Sequence, residues 1–293
     1  MANETLSIRT TGTVPDIRGA DMDSAVDGAT AAIWTRGLTR KFGNAIAVDA
    51  IDLGVGAGEI FGLLGPNGAG KTTTIRMLTT LLPPSAGEAQ VAGFDLRREA
   101  ALIRRRIGYV PQMLSADAEL TGYENLLVFA RLYGVPSGER RRRIREALDF
   151  MGIADSAYQL VRHYSGGMIR RLEIAQSLVN RPGILFLDEP TVGLDPAARH
   201  AVWARIQALW KRWQTTICMT THYMDEAEAL CTRIAFIERG RIVAQGTPAE
   251  LKAGVGPGAT LDDVFIRLSG TQARQDDGYQ ATDLERRSIQ RHG

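Results

Sequence analysis

Gly65-Pro66-Asn67-Gly68-Ala69-Gly70-Lys71-Thr72 has the residue types and spacing of a phosphate-cradling loop. Its glycines let backbone N–H groups close around phosphate oxygens, and the N-terminus of a following helix adds a favourable dipole. Lys71 is then the cation for the β- and γ-phosphates of a nucleotide, and the Thr72 hydroxyl is a candidate Mg²⁺ ligand. The flanks suit this chemistry, because strand-like Ile60 to Leu64 precedes the loop and a helical pattern, Thr72 to Leu82, runs on to the stop at Pro83-Pro84. Without those flanks the same glycines would make only an ordinary turn before a helix.

A second chemical element is Ile184-Leu185-Phe186-Leu187-Asp188-Glu189, an apolar strand pattern ending in two carboxylates. Beside a phosphate loop, Asp188 is placed to assist Mg²⁺, and Glu189 to accept a proton from an attacking water or to orient it. A strand ending in Asp-Glu is otherwise commonly just a turn. Ser165-Gly166-Gly167 opens a long helical run through Val179, so Ser165 is a natural N-cap and the glycines expose backbone N–H groups to an anion. It is either a second phosphate cradle or simple capping. Cys218 and His222 lie near each other in sequence, but no four-ligand set of suitable spacing accompanies them, which argues against zinc.

The elements needed to hold these groups are those of an α/β fold. Ile60 to Leu64, Ile184 to Leu187, Thr216 to Thr220 and Ile234 to Ile237 read as strands alternating with helical patterns, which implies a sheet with helices packed on it. Residues 113–164 contain helical patterns, Glu124 to Tyr133 and Glu139 to Phe150, and no strand, as expected of a helical subdomain inserted in the sheet domain. Residues 1–30 and 271–293 lack periodicity and are expected to be a flexible leader and a polar tail around a domain spanning 31–270. Thr247-Pro248-Ala249-Glu250 is a capping box with proline at the first helical position. Arg140 to Arg143 fall on the solvated side of an amphipathic helix whose apolar register is Ile144, Leu148 and Met151.

Composition bounds the function. The 293 residues are 44% hydrophobic, and 35 Lys and Arg against 33 Asp and Glu leave a formal charge of +2, too little for a whole-protein field that selects nucleic acid. The longest apolar runs are well short of the roughly 20 residues of a membrane-spanning helix. Two cysteines and no basic-then-apolar leader imply a reducing, cytosolic location.

In order and spacing, the phosphate loop, Gln112, Tyr164-Ser165-Gly166-Gly167-Met168, Ile184 to Glu189, Gly193-Leu194-Asp195-Pro196 and His222 resemble an ABC transporter ATPase from about Ile33 to Gly246. The resemblance implies a P-loop NTPase sheet domain of ABC ATPase type with an inserted helical subdomain. It also implies ATP and Mg²⁺ as ligands and a head-to-tail homodimer with two ATPs at its interface. In that arrangement Ser165, Gly166 and Gly167 meet the nucleotide on the partner's phosphate loop, and Thr73 and Asp195 also lie on the nucleotide side. Phe42 would stack on adenine, unless it is a core residue. Gln112 would meet Mg²⁺ or water and sense a transmembrane partner, and His222 would be the switch histidine near the γ-phosphate.

Tyr164 and Met168, with Thr221-His222-Tyr223-Met224-Asp225-Glu226-Ala227-Glu228 and Leu261-Asp262-Asp263-Val264-Phe265, are similar to the bacterial daunorubicin-resistance type of exporter ATPase. That type works with a separate membrane permease at the cytoplasmic face of the membrane and exports a drug-like or antibiotic-like small molecule. Lipid or oligosaccharide export is the nearby alternative. A soluble relative acting on nucleic acid or ribosomes is disfavoured, because only about 100 residues, and no long coiled coil, separate the two cradles and the chain has one phosphate loop. A catalytically dead subunit is disfavoured by the presence of Lys71, Asp188, Glu189 and His222 together.

Overall fold

Ile60–Leu64, Ile184–Asp188 and Thr216–Thr221 are buried at every position, as strands covered on both faces must be. They are β3, β7 and β8 of a six-stranded sheet that also holds β6 (Ile107–Val110), β9 (Arg233–Glu238) and β10 (Arg241–Gly246), in the order β10-β9-β3-β8-β7-β6. All neighbours run parallel except β10, which returns antiparallel to β9. This computed structural model describes residues 31–269; the leader expected over 1–30 and the tail expected over 271–293 lie outside the described residues.

A second sheet, antiparallel and ordered β2-β1-β4-β5, comprises β1 (Ala31–Phe42), β2 (Ala45–Gly56), β4 (Ala86–Val91) and β5 (Phe94–Asp95). The sequence reading did not anticipate it. Repeated register shifts within β1–β2 break the alternation that would reveal an amphipathic strand. Helix α1 (Lys71–Leu78) contributes Ile75, Met77 and Leu78 to the core between the two sheets, where Phe61, Leu63 and Phe186 face Ile33, Leu53 and Val91. It is shorter than the expected Thr72 to Leu82. Thr80 takes a left-handed φ of 64°, and the Leu81 and Leu82 amides both turn back to the Arg76 carbonyl ahead of the two prolines.

The other face of the parallel sheet carries a larger core under α3 (Gly122–Leu132), α4 (Ser137–Met151), α5 (Gly166–Leu178), α6 (Pro196–Trp213) and α7 (Met224–Leu230), with α2 (Ala100–Arg106) at the sheet edge. α8 (Pro248–Ala253) starts with the expected capping box, and α9 (Leu261–Ser269) packs against α8. α4 buries Ile144, Ala147, Leu148 and Met151. Arg141 and Arg142 are exposed, and Arg142 pairs with Glu139 and Glu146; Arg140 and Arg143 are half-buried and donate to the Val135 and Val179 carbonyls, so only part of the arginine run is a solvated helix face. Arg171 and Arg205 converge on the C-terminal carbonyls of α4 at Phe150, Met151 and Gly152, where cations offset the negative end of the helix. Tyr164 is buried and donates to the Ser156 carbonyl at 2.6 Å, closing the turn before α5.

Gly62 lies in β3 where a Cβ would sit 2.6 Å from Cys231 Sγ and 2.9 Å from Leu64 Cδ1. Gly62→Ala is expected to lose about 1–3 kcal/mol by overpacking, and adding Cys231→Ala to regain part of it. Equilibrium urea unfolding of the single and double variants measures both; equal losses in the two would show that the sulfur is not the obstacle.

Candidate functional site

In a parallel sheet the chain leaves every strand at the same edge, and that edge is where ligands meet α/β folds. Four adjacent strands deliver the candidate residues there. β3 leads into the Gly65–Thr72 loop, β7 ends at Asp188 before Glu189, β8 ends at Thr221 before His222, and β6 ends at Val110 before Gln112.

The loop is fixed by its own backbone. Ala69 N–H reaches the Pro66 carbonyl, Thr74 N–H reaches the Gly70 carbonyl, and the Ala69 carbonyl accepts from Gly240 N–H in the β9–β10 turn. Gly70 sits at φ 110°, and a Cβ there would lie 2.5 Å from the Ala47 carbonyl oxygen, so this position needs glycine twice over. Lys71 is buried with its ammonium 2.8 Å from the Gly65 carbonyl, 3.1 Å from the Pro66 carbonyl and 3.2 Å from Glu189 Oε1. Thr72 donates to Asp188 Oδ1 at 3.1 Å, whereas Thr73 stands beside it half-buried.

The two carboxylates are held differently. Asp188 Oδ1 accepts from Thr220 Oγ1 at 2.6 Å as well as from Thr72, while Oδ2 is buried with no partner. Burial pushes the Asp188 carboxyl above its ordinary range, the Thr220 and Thr72 hydroxyls pull it back, and neighbouring Glu189 raises it again. A buried carboxylate oxygen without a donor, beside a threonine hydroxyl, is a donor set of hard oxygens that fits Mg²⁺. Glu189 has a left-handed φ of 48°, unusual for a non-glycine residue, and its N–H is secured by the Thr220 carbonyl and hydroxyl. Its Oε2 accepts from Gln112 Nε2 at 3.2 Å, and His222 Nδ1 lies 3.3 Å away without forming a hydrogen bond.

Lys71, Gln112, Glu189 and His222, which lie far apart in sequence, therefore meet around one carboxylate. The remaining candidates lie on other surfaces. Ser165 caps α5, accepting from Met168 N–H at 3.3 Å, and Ser165 and Gly166 are exposed. Gly167 packs so closely on the start of α6 that a Cβ would come within 2.8 Å of Ala198 Cβ. Asp195 caps α6 by accepting from Ala198 N–H at 2.9 Å, so its carboxylate already has a helix-capping job. Phe42 is 48% exposed, with the Arg40 guanidinium 4.6 Å over its ring, which rules out the core alternative.

Sequence reasoning missed Thr220 and Glu226. Thr220 is a buried strand threonine whose hydroxyl serves Asp188 and Glu189 at once. Glu226, 1% exposed in α7, accepts from Thr191 Oγ1 at 2.7 Å and Trp203 Nε1 at 2.8 Å. Burial raises its carboxyl, and donors on Thr221, Thr191 and Trp203 hold it down. A Glu in a short amphipathic helix gives one weak sequence signal of burial, an acidic residue where the register calls for an apolar one.

Fold and site together define a P-loop nucleoside triphosphatase. The chain belongs to the ABC transporter family, whose profile matches residues 48–192. It is 48% identical over 245 residues to the daunorubicin/doxorubicin resistance ATP-binding protein of Streptomyces peucetius, covering 84% of this chain and 73% of that protein. It is 45% identical to the Nod factor export ATP-binding protein I of Ralstonia nicotianae, covering 76% of this chain and 70% of that protein. A dimeric ATP-binding cassette solved in a post-hydrolysis state with ADP and phosphate superposes with a TM-score of 0.66 at 27% identity, covering 73% of this chain and 98% of that one.

Thr220→Val removes the short bond to Asp188 while keeping shape. The Mg²⁺ concentration needed for half-maximal ATP hydrolysis is expected to rise about tenfold or more, as when a ligand loses its orienting partner. A Mg²⁺ titration of hydrolysis checks it, and an unchanged midpoint would remove Thr220 from the metal site.

Proposed function

We propose that this chain binds and hydrolyses MgATP at the C-terminal edge of its parallel sheet and, as a homodimer, drives export of a drug-like or antibiotic-like small molecule through a separate membrane permease. It works at the cytoplasmic face of the membrane. Among the described residues no helix is long and apolar enough to cross a membrane. The observation that carries the reading is the convergence of Lys71, Gln112 and His222 on Glu189. The identity to a drug-resistance ATP-binding protein supports the choice of cargo class.

The Gly65–Thr73 segment offers backbone N–H groups to the phosphates, with Pro66, Asn67, Gly68 and Ala69 shaping the turn. Lys71 gives its ammonium to the β/γ-phosphates, exchanging the Glu189 contact for phosphate oxygen. Glu189 is then free to accept the proton of an attacking water. Gln112 and His222, on either side of Oε2, fix that carboxylate and the water against the γ-phosphate. Thr72, Asp188 and Gln112 would hold Mg²⁺, which when bound would supply positive charge to neutralise the phosphate oxygens. Phe42, an exposed ring, would stack on adenine. The exposed N-terminus of α5, at Ser165 to Gly167, addresses the nucleotide of the partner chain, with Asp195 beside it.

Glu189→Gln is expected to retain ATP binding and slow hydrolysis by about 10²–10⁴-fold, because it removes the proton acceptor but keeps size. Lys71→Ala should abolish productive binding itself. Fluorescent-nucleotide titration and single-turnover hydrolysis separate the two, and near-wild-type turnover in Glu189→Gln would exclude it as the base.

The dimer is tested by cysteines at Asn67 and Ser165 in the Glu189→Gln chain, which should crosslink between chains only with ATP. Native Cys218 and Cys231 are buried, and burial pushes the Cys218 thiol up to about 12, so neither competes. Crosslinks confined within one chain, or none in any nucleotide state, would refute the head-to-tail arrangement.

A further inference from the structure

Arg170 is the bulkiest fully buried side chain of the described residues, at 1% exposure in the middle of α5. A guanidinium is costly to bury, and burial lowers its basicity even against the adjacent carboxylate of Glu173. Two of its nitrogens are spent on consecutive carbonyls: Nη1 donates to Pro111 O and Nη2 to Gln112 O, each at 2.7 Å. Nη1 also lies 2.9 Å from Glu173 Oε2. Glu173 Oε1 in turn accepts from the Ser115 N–H and, at 3.2 Å, from its hydroxyl. Beyond it, Asp117 N–H donates to Asn125 Oδ1, which also accepts from Gln176 Nε2.

The backbone of residues 111–117 is therefore fastened to α5 and α3, not to the sheet it has just left. Val110 is still paired with Leu187 in the sheet. One peptide unit, Val110 to Pro111, separates the part of the chain held by the sheet from the part held by the helices. The Gln112 side chain then reaches back across that junction to Glu189.

We propose that Arg170, supported by Glu173, is a positioning residue: its fork grips the backbone at Pro111 and Gln112, so that Gln112 is set against Glu189 by the placement of α5 and moves with it. This rests on the reading of Gln112 and Glu189 as parts of the hydrolytic site. It goes beyond that reading by making the helix that begins at Ser165 the element that sets Gln112. A buried pair kept only as core filling would be replaceable by apolar side chains of similar volume. The fork is not replaceable if it positions, because two nitrogens of one rigid plane each take one carbonyl here, a spacing that an apolar side chain cannot supply and a single ammonium nitrogen cannot reproduce.

Two variants separate these roles in the full-length chain. Arg170→Lys keeps a cation opposite Glu173 but loses the two-carbonyl grip. The double variant Arg170→Met with Glu173→Leu removes both charges together, so that neither is left buried alone. Each is expected to lower single-turnover hydrolysis by about 10- to 100-fold, as displacement of a reacting group does, with the Kd for ATP changed less than about twofold and the unfolding midpoint largely kept. In a Gln112→Ala background the same substitutions should cost almost nothing more, because they act through Gln112.

Hydrogen exchange gives a readout independent of catalysis: protection of amides 112–117 should fall in the double variant while α5 and β6 stay protected, and it decides where rates become too slow to compare. Full penalties in the Gln112→Ala background, wild-type rates in both variants, or unchanged protection of 112–117 would each overturn the proposal. The reading on which it rests fails separately, by wild-type-like turnover in Glu189→Gln.

Discussion

The pairing of β7 with β8 is the constraint on which the site rests. It sets Asp188 opposite Thr220, so one hydroxyl, inside the sheet and shielded from water, orients the Asp188 carboxylate and anchors the amide of the next residue. That anchor holds Glu189 at a backbone angle it would not choose, turning its side chain out of the strand direction and back over the phosphate loop. A slip of one residue in this register would send the Asp188 side chain to the opposite face of the sheet and leave two buried carboxylates without donors. The apolar runs of β3, β7 and β8 prevent the slip, since each is buried along its whole length.

Charge burial is tolerated here because each charge has a designated partner. Lys71 faces two carbonyls and Glu189, and Glu226 is ringed by neutral donors. Asp188 Oδ2 is different: it is buried with no hydrogen-bond donor, and unlike Glu173 Oε2, which also lacks one, it has no cation within ion-pair distance among the described residues. A desolvated carboxylate oxygen without a donor is suited to a cation supplied with the nucleotide, as proposed above, and burial raises the Asp188 carboxyl in keeping with it.

What was legible in the sequence was what is local in the chain. The phosphate loop, the Asp188-Glu189 strand end and the Ser165 and Thr247 caps depend on residues a few positions apart, and α4 showed its solvated arginines by helical spacing. The four-stranded antiparallel sheet was not legible, because its strands pair irregularly and alternate poorly. Nor were Thr220, Glu226 and Arg170. Their roles come from partners far along the chain, from 23 positions for Glu226 with Trp203 to 59 for Arg170 with Pro111. An Arg and a Glu three apart on a helix, as at 170 and 173, read in sequence like a surface pair. The structure buries both. The family resemblance supplied Gln112 and His222, whose residue types alone would not have marked them.

Two exposed helix starts lie side by side, Ser165 capping α5 and Asp195 capping α6, with Gly167 against Ala198 between them. From each, one buried ionisable residue leads back to the groups around Glu189. From α5 it is Arg170, which holds the Gln112 backbone; from α6 it is reached through Trp203, which donates to Glu226 of α7, a carboxylate shared with Thr191 and Thr221, the residue before His222. Gln112 and His222 flank the same oxygen of Glu189. A rigid shift of this double helix start would thus be felt at both sides of that carboxylate, because packed interiors pass on displacement where loose loops would absorb it. If the surface around Ser165 and Asp195 meets a nucleotide held by a second copy, occupancy there and readiness of the chain's own glutamate become one mechanical variable. Two such chains facing each other would then have reason to act as a pair.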